Sequence, residues 1–242
     1  MYSKSLSKRG LSNAIGGSAY DFRLANMTEE TFITNVKKLS KKAEIQPTEI
    51  YSAEQQHTGN ISYCSGENGV PFLIGRQLKE TDGLITDQLN IALLIKFADC
   101  TPLVFYDPIQ KVQATVHSGW RGTVAKIGEA AISKMVEDFH VKRGNILAYV
   151  GPSIDPNHYE VGAEVYQSFR NLPNREKYFK PYGEKYLLDM ASANYELLLQ
   201  AGISKENIEV AKESTFTDIN LHSARQEGPN YQLNAMITCM NE

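Results

Sequence analysis

The sequence predicts an α/β protein: a mixed-sheet sandwich in a single domain spanning 1–242. Three observations point there. Short apolar runs and amphipathic helical segments alternate without a regular βα period. Several adjacent strands are close enough in sequence to form hairpins. No glycine-rich dinucleotide or P-loop motif is present, so a doubly wound parallel fold is not indicated. The 242 residues, 42% hydrophobic and 22% charged, can bury a substantial core.

The elements follow in chain order. Residues 28–43 read as a helix, with Thr28 as N-cap and Phe32, Val36 and Leu39 on one stripe. Residues 49–55 form a strand running toward His57, and 81–87 a turn with a short strand. The run I-A-L-L-I-K-F-A (91–98) is short and nearly all apolar, which suits a strand buried on both faces. Two more strands, 103–106 and 111–116, flank the turn D-P-I-Q. Residues 122–139 read as one helix, with Val124, Ile127, Ala131, Met135 and Phe139 on a common face. A strand at 145–150 follows, then helices around 161–170 and 189–201. Asp189 stands at the N-cap of the second and Gly202 just past its end. Strands at 207–211 and 233–239 complete the set.

The totals exclude some functions. A net charge of -3 gives no basic excess for a nucleic-acid partner. Lys4, Lys8 and Arg9 are followed by no apolar signal region, and no run reaches the length of a membrane span. A cytoplasmic setting is expected, with neither nucleic acid nor membrane as partner. The expected oligomeric state is monomer or weak dimer. Three cysteines suit reduced thiols rather than a disulfide framework. Cys64 and Cys239 have no partner pattern and read as core residues.

Three segments place a metal-ligand type at a strand end: Q-Q-H-T (His57), A-D-C-T-P (Cys100) and V-H-S-G-W-R-G-T (His117). One thiolate and two imidazoles suit zinc or copper, and three ligands leave a fourth position, the mark of a catalytic rather than structural ion. The same atoms would also serve a Cys100 nucleophile with His117 as base and Asp99 or Gln55 orienting the imidazole. A buried cysteine and two histidines held by backbone hydrogen bonds is the third option. Spacing does not choose among them.

Other residues are weaker candidates. His140 follows a helix end, His158 lies in a turn, and His222 sits near Arg225 as a possible pocket residue. Trp120 reads as packing, with Gly119 and Gly122 allowing close backbone approach. Arg121 opens a helix, where the dipole disfavours a cation, so an anion contact or a salt bridge is expected there.

The segments A-D-C-T-P-L-V-F-Y-D, V-H-S-G-W-R-G-T and G-P-S-I-D-P-N-H-Y-E-V-G, in that order, resemble the YfiH or laccase-domain family. It is also called the multicopper polyphenol oxidoreductase family, and it takes in purine nucleoside phosphorylases with a laccase domain. The resemblance runs nearly end to end, from S-K-R-G-L-S through T-D-G-L-I-T to H-S-A-R-Q-E-G. It implies a single-domain α/β sandwich similar to a toxin deamidase, with His57, Cys100 and His117 holding zinc, copper being possible. It implies phosphorolysis of nucleosides such as adenosine and inosine, with adenosine deamination, so the partners are a small-molecule nucleoside and phosphate. Asp99 is then the acid or base, Arg9 the anion contact among the catalytic set, and Arg121, Arg225 and Gln55 the substrate contacts. Alternatives are a Cys-His or zinc hydrolase editing peptidoglycan precursors, a laccase-like oxidase, and a non-catalytic binding protein. Five histidines are too few for a multicopper relay, which disfavours the oxidase. The chain departs from the family pattern at Asn157 and His158, at Ser214, at Arg23 and at Gln232, which leaves the anion-binding edge open to change.

Overall fold

The computed structural model describes residues 1–241. Its strands are β1 (Leu11–Gly16), β2 (Glu49–Ala53), β3 (Ile61–Tyr63), β4 (Val70–Pro71), β5 (Arg76–Leu78), β6 (Gly83–Thr86), β7 (Ile91–Phe97) and β8 (Thr101–Asp107). They continue with β9 (Val112–Ser118), β10 (Leu147–Val150), β11 (Glu160–Val161), β12 (Phe179–Tyr182), β13 (Lys185–Leu188), β14 (Ile208–Val210) and β15 (Asn234–Met240). The α-helices are α1 (Lys4–Lys8), α2 (Glu29–Lys42), α3 (Trp120–Val124), α4 (Ile127–Phe139), α5 (Ala163–Ser168), α6 (Met190–Gln200) and α7 (Ala224–Glu227).

Two six-stranded mixed sheets stack face to face, ordered β1-β15-β7-β2-β5-β4 and β14-β10-β8-β9-β6-β3. Strand alternation explains the layers. On β7, Ala92 and Leu94 face Phe32, Val36 and Leu39 of α2, while Ile95 and Phe97 face Val104 and Tyr106 of the other sheet. On β8, Leu103 and Phe105 turn outward to Ile127, Ala131 and Met135 of α4 and Leu198 of α6. Each sheet is therefore covered by helix outside and by its partner sheet inside, which is why both strands read as continuous apolar runs. Each fully buried Leu or Phe contributes about 1.5–3 kcal/mol. A third sheet, β11-β13-β12, packs with α5 and α6 around Phe169, Phe179 and Leu188, and Trp120 and Tyr159 lean on that cluster.

Caps match expectation at two helices. Thr28 accepts from the backbone N–H of Thr31, and Asp189 from that of Ser192. The expected single helix at 122–139 is instead two. Lys126 adopts a left-handed conformation (φ 56°, ψ 42°) between α3 and α4. The reason is competing anchors. The Thr123 hydroxyl is locked to the Gly119 carbonyl and into a buried network with Ser118 and Asn194, while α4 must lay its own stripe on β8 and β9. One straight helix cannot satisfy both.

The hairpin β8–β9 positions the site. Its register pairs Thr101 with Ser118 and Pro102 with His117, so Cys100, one residue before β8, arrives beside the end of β9. The D-P-I-Q turn closes the other end, where Asp107 Oδ1 accepts from the N–H of Ile109 at 2.7 Å.

Candidate metal centre

His57, Cys100 and His117 converge. Their ligand atoms lie within 4.8 Å of one another, and Cys100 Sγ is 3.8 Å from His57 Nε2. Tetrahedral zinc with bonds of about 2.0–2.3 Å holds its ligand atoms roughly 3.3–3.8 Å apart, a separation the Cys100–His57 pair has. His117 is buried, Cys100 half-buried and His57 exposed, so the cluster opens to solvent on the His57 side.

Asp82 builds this arrangement. It is wholly buried and accepts five hydrogen bonds. These come from the backbone N–H groups of Gln56, His57 and Thr58, the Thr58 hydroxyl, and His117 Nδ1 at 2.8 Å. The first four fix the loop that carries His57, whose backbone is left-handed at φ 59°. The last fixes the His117 ring so that Nε2 is the nitrogen left for a metal. Burial works against ionisation of Asp82, but the bonds from His117 and Thr58 prevail and bring its pKa down to about 2. Burial also opposes charge on Cys100 and His117. Their mutual attraction overrides it, helped by the bonds to His57 and Asp82, so the thiol is held below and the imidazole above its ordinary value. A thiol so biased toward thiolate is suited to a metal ion.

Gly119 closes one wall. A Cβ there would lie 2.7 Å from His57 Cδ2 and 2.9 Å from Cys100 Sγ. Only glycine lets the backbone pass this close, as the glycine-rich motif suggested.

The remaining site expectations divide. Gln55 does not orient an imidazole. Its amide bonds the backbone of Lys96 in both directions, at 2.6 and 2.8 Å, prolonging the β2–β7 pairing. The orienting role falls to Asp82, which sequence reasoning missed although its T-D-G-L-I-T segment was noted. Arg9 is not at the site. It caps α1 just before β1, and β1 pairs Leu11 with Met240 at the sheet end remote from Phe97. Its neighbour Gly10 lies near the hydroxyl of Tyr106, five residues along β8 from Thr101. Arg121 is exposed and lies over the Trp120 ring, 4.3 Å from its centroid. Among the described residues no carboxylate pairs with it, so the salt bridge is not made. Asp99 Oδ1 and Oδ2 accept from the Thr215 hydroxyl and the Arg225 N–H, each at 2.7 Å.

The other histidines lie elsewhere. His222 is buried with both nitrogens occupied, by Glu227 and by the carbonyl of Tyr20, so it is structural rather than a pocket residue. His158 is held by Asp155 and stacks on Phe216, and His140 is exposed at the end of α4. Among the described residues, the donor set thus suits one ion and not a copper relay. No helix among them is long and apolar enough to cross a membrane.

Comparison with known proteins identifies the family and the fold. The model of the multi-copper polyphenol oxidoreductase laccase family matches residues 16–239, a span that begins after Arg9. Purine nucleoside phosphorylase YlmD of Bacillus subtilis (strain 168) is 35% identical over 146 residues, 60% of this chain and 52% of that protein. Adenosine deaminase RL5, from an unknown prokaryotic organism, is 34% identical over 158 residues, 63% of this chain and 60% of that protein. The match spans little more than half the length of these curated relatives. The crystal structure of the Bacillus licheniformis hypothetical protein YfiH superposes with a TM-score of 0.91 at 25% identity, covering 99% of this chain and 96% of that one. The chain belongs to the multi-copper polyphenol oxidoreductase laccase family.

Proposed function

We propose that the chain is a metal-dependent purine nucleoside enzyme. It cleaves nucleosides such as adenosine and inosine with phosphate and also deaminates adenosine. One observation carries the reading: two imidazoles and a thiol converge as a three-donor set, with Asp82 fixing two of the three arms. Relatives named purine nucleoside phosphorylase and adenosine deaminase support the substrate class. Free thiols at Cys64, Cys100 and Cys239 suit a reducing, cytoplasmic setting.

Zinc held by His57, Cys100 and His117 would supply Lewis-acid polarisation and bring the pKa of its water to about 7. The protein's own residues do the rest. Asp82 keeps His117 in a single tautomer, and its bonds to residues 56–58 hold His57 at the mouth of the site. Gly119 lets Cys100 and His57 approach the backbone. Arg121 and Arg225, both exposed and free of carboxylate partners among the described residues, are the cations available to an anionic co-substrate.

The cysteine–imidazole geometry also suits a thiolate nucleophile, with Cys100 Sγ 3.8 Å from His57 Nε2. One experiment separates the readings. Metal content and phosphate-dependent base release from adenosine and inosine are measured for wild type and Cys100→Ala. The expected result is bound metal and phosphate-dependent release in wild type, with both lost in the variant. Loss of metal with unchanged turnover would overturn the purine reading, and turnover by a metal-free preparation would favour the thiolate.

A further inference from the structure

Asp99 stands next to a proposed ligand, yet its bonds point to a role other than proton transfer. Its backbone is left-handed at φ 80°. Its carbonyl accepts from the N–H of Ile154 at 3.1 Å. Its carboxylate is divided between two partners: Oδ1 takes the hydroxyl of Thr215, which is fully buried, and Oδ2 takes the backbone N–H of Arg225, both at 2.7 Å. One residue thus ties three segments, around 154, 215 and 225, to the Cys100 loop. A general acid or base needs an oxygen aimed at substrate. An amide N–H cannot relay a proton in its place.

The partner at 225 gives this latch a purpose. The Arg225 Nη1 and Nη2 atoms both donate to the Glu160 carbonyl at 3.2 Å, and the guanidinium carbon is 5.4 Å from the centre of the Tyr159 ring. A guanidinium has five N–H donors, so most of this one stays available. Its side chain is exposed, and among the described residues no carboxylate neutralises it. Tyr159 adds a second group. Its hydroxyl has no hydrogen-bond partner among the described residues, and burial together with the Cys100 charge holds its pKa above the ordinary value, so it stays protonated.

We propose that Asp99 is a positioning residue, setting the turn before α7 so that Arg225 offers its free N–H edge to phosphate beside Cys100. This rests on the phosphorolysis reading for its ligand. The turn keeps other supports when Asp99 is changed. The Ser223 hydroxyl accepts from the N–H of Gln226, and Glu227 accepts from the N–H of Ser223. Asparagine also tolerates the left-handed backbone, so Asp99→Asn should fold.

The test is calorimetric titration with inorganic phosphate, alongside steady-state kinetics and metal content, for wild type, Asp99→Asn, Arg225→Ala and the double variant. Each single change should weaken phosphate binding and raise its KM by about tenfold. The double change should weaken it no further, because one residue acts through the other. In Asp99→Asn, kcat at saturating phosphate should fall by less than about threefold and metal content should match wild type. Thr215→Val should give a smaller loss in the same direction, and it serves if Asp99→Asn is poorly folded. The proposal is overturned if Asp99→Asn lowers kcat and moves the pH profile while phosphate affinity holds. Additive losses in the double variant, or no phosphate binding by wild type, also overturn it. Phosphate bound without base release would instead sink the purine reading and leave the latch standing.

Discussion

The floor of the cluster is held by Asp82 and its rim by Asp99, and the two carboxylates differ in burial and in what they hold. Asp82 is wholly buried and takes five donors, two of them from the clustered residues His57 and His117. Asp99 is half-buried and takes the Thr215 hydroxyl and an N–H of Arg225, neither from the His57–Cys100–His117 cluster. The floor therefore couples folding to the geometry of the cluster, whereas the rim sets the solvent-facing Arg225. Damage to the floor should cost metal and stability together, and damage to the rim should cost substrate affinity alone.

The largest effect is expected from Asp82→Ala. It strands three part-buried backbone N–H groups and the buried His117 imidazole. Denaturant unfolding should show a loss on the order of 3–5 kcal/mol, with metal binding lost as well. A stable, metal-replete variant would remove the distinction between floor and rim.

Acid provides a milder break of the same hub. The Asp82 pKa falls from 3.8 to about 2 on folding. A depressed carboxylate stabilises the fold fully above its unfolded value and loses that contribution as pH drops through the folded value. About 2 kcal/mol should therefore vanish between roughly pH 4 and pH 2. Unfolding measured across that window should lose this portion of its slope in Asp82→Asn.

Gly119→Ala sharpens the comparison by touching Cys100 and His57 without touching Asp82. The new methyl group would press on Cys100 Sγ at 2.9 Å and His57 Cδ2 at 2.7 Å. Metal affinity should fall by about 10–100-fold, while the unfolding midpoint of the metal-free protein shifts little. Competition with a chelator reads the first quantity and urea the second.

The smallest effect belongs to the rim. Arg121→Ala removes an exposed cation lying over Trp120. Stability should change by less than about 0.5 kcal/mol, and any kinetic change should appear in KM rather than in metal content. Loss of metal in this variant would show that the rim is not separate from the floor.

Sequence pattern was enough for the layers and for naming three side chains that converge, while spacing left their chemistry open. The apolar run at 91–98 became β7, buried on both faces, and the paired runs around D-P-I-Q became the hairpin that delivers Cys100 and His117. Asp82 escaped because a hub of hydrogen bonds has no local spacing. Its partners lie 24 to 26 residues before it and 35 after it. The break at Lys126 escaped because the apolar stripe runs on through it, and only the Ser118–Thr123–Asn194 network reveals the competing anchor. Arg9 was misplaced because a motif match carries no register. The pairing of β1 with β15 decides which end of the sheet an arginine near Leu11 occupies.

The central claim is that three side chains on this floor form one metal site. Elemental analysis of purified wild type, Cys100→Ala and His117→Ala tests it most directly. One ion per chain in wild type, and none in either variant, is expected. Several copper ions per chain, or metal retained when Cys100 and His117 are each removed, would contradict it.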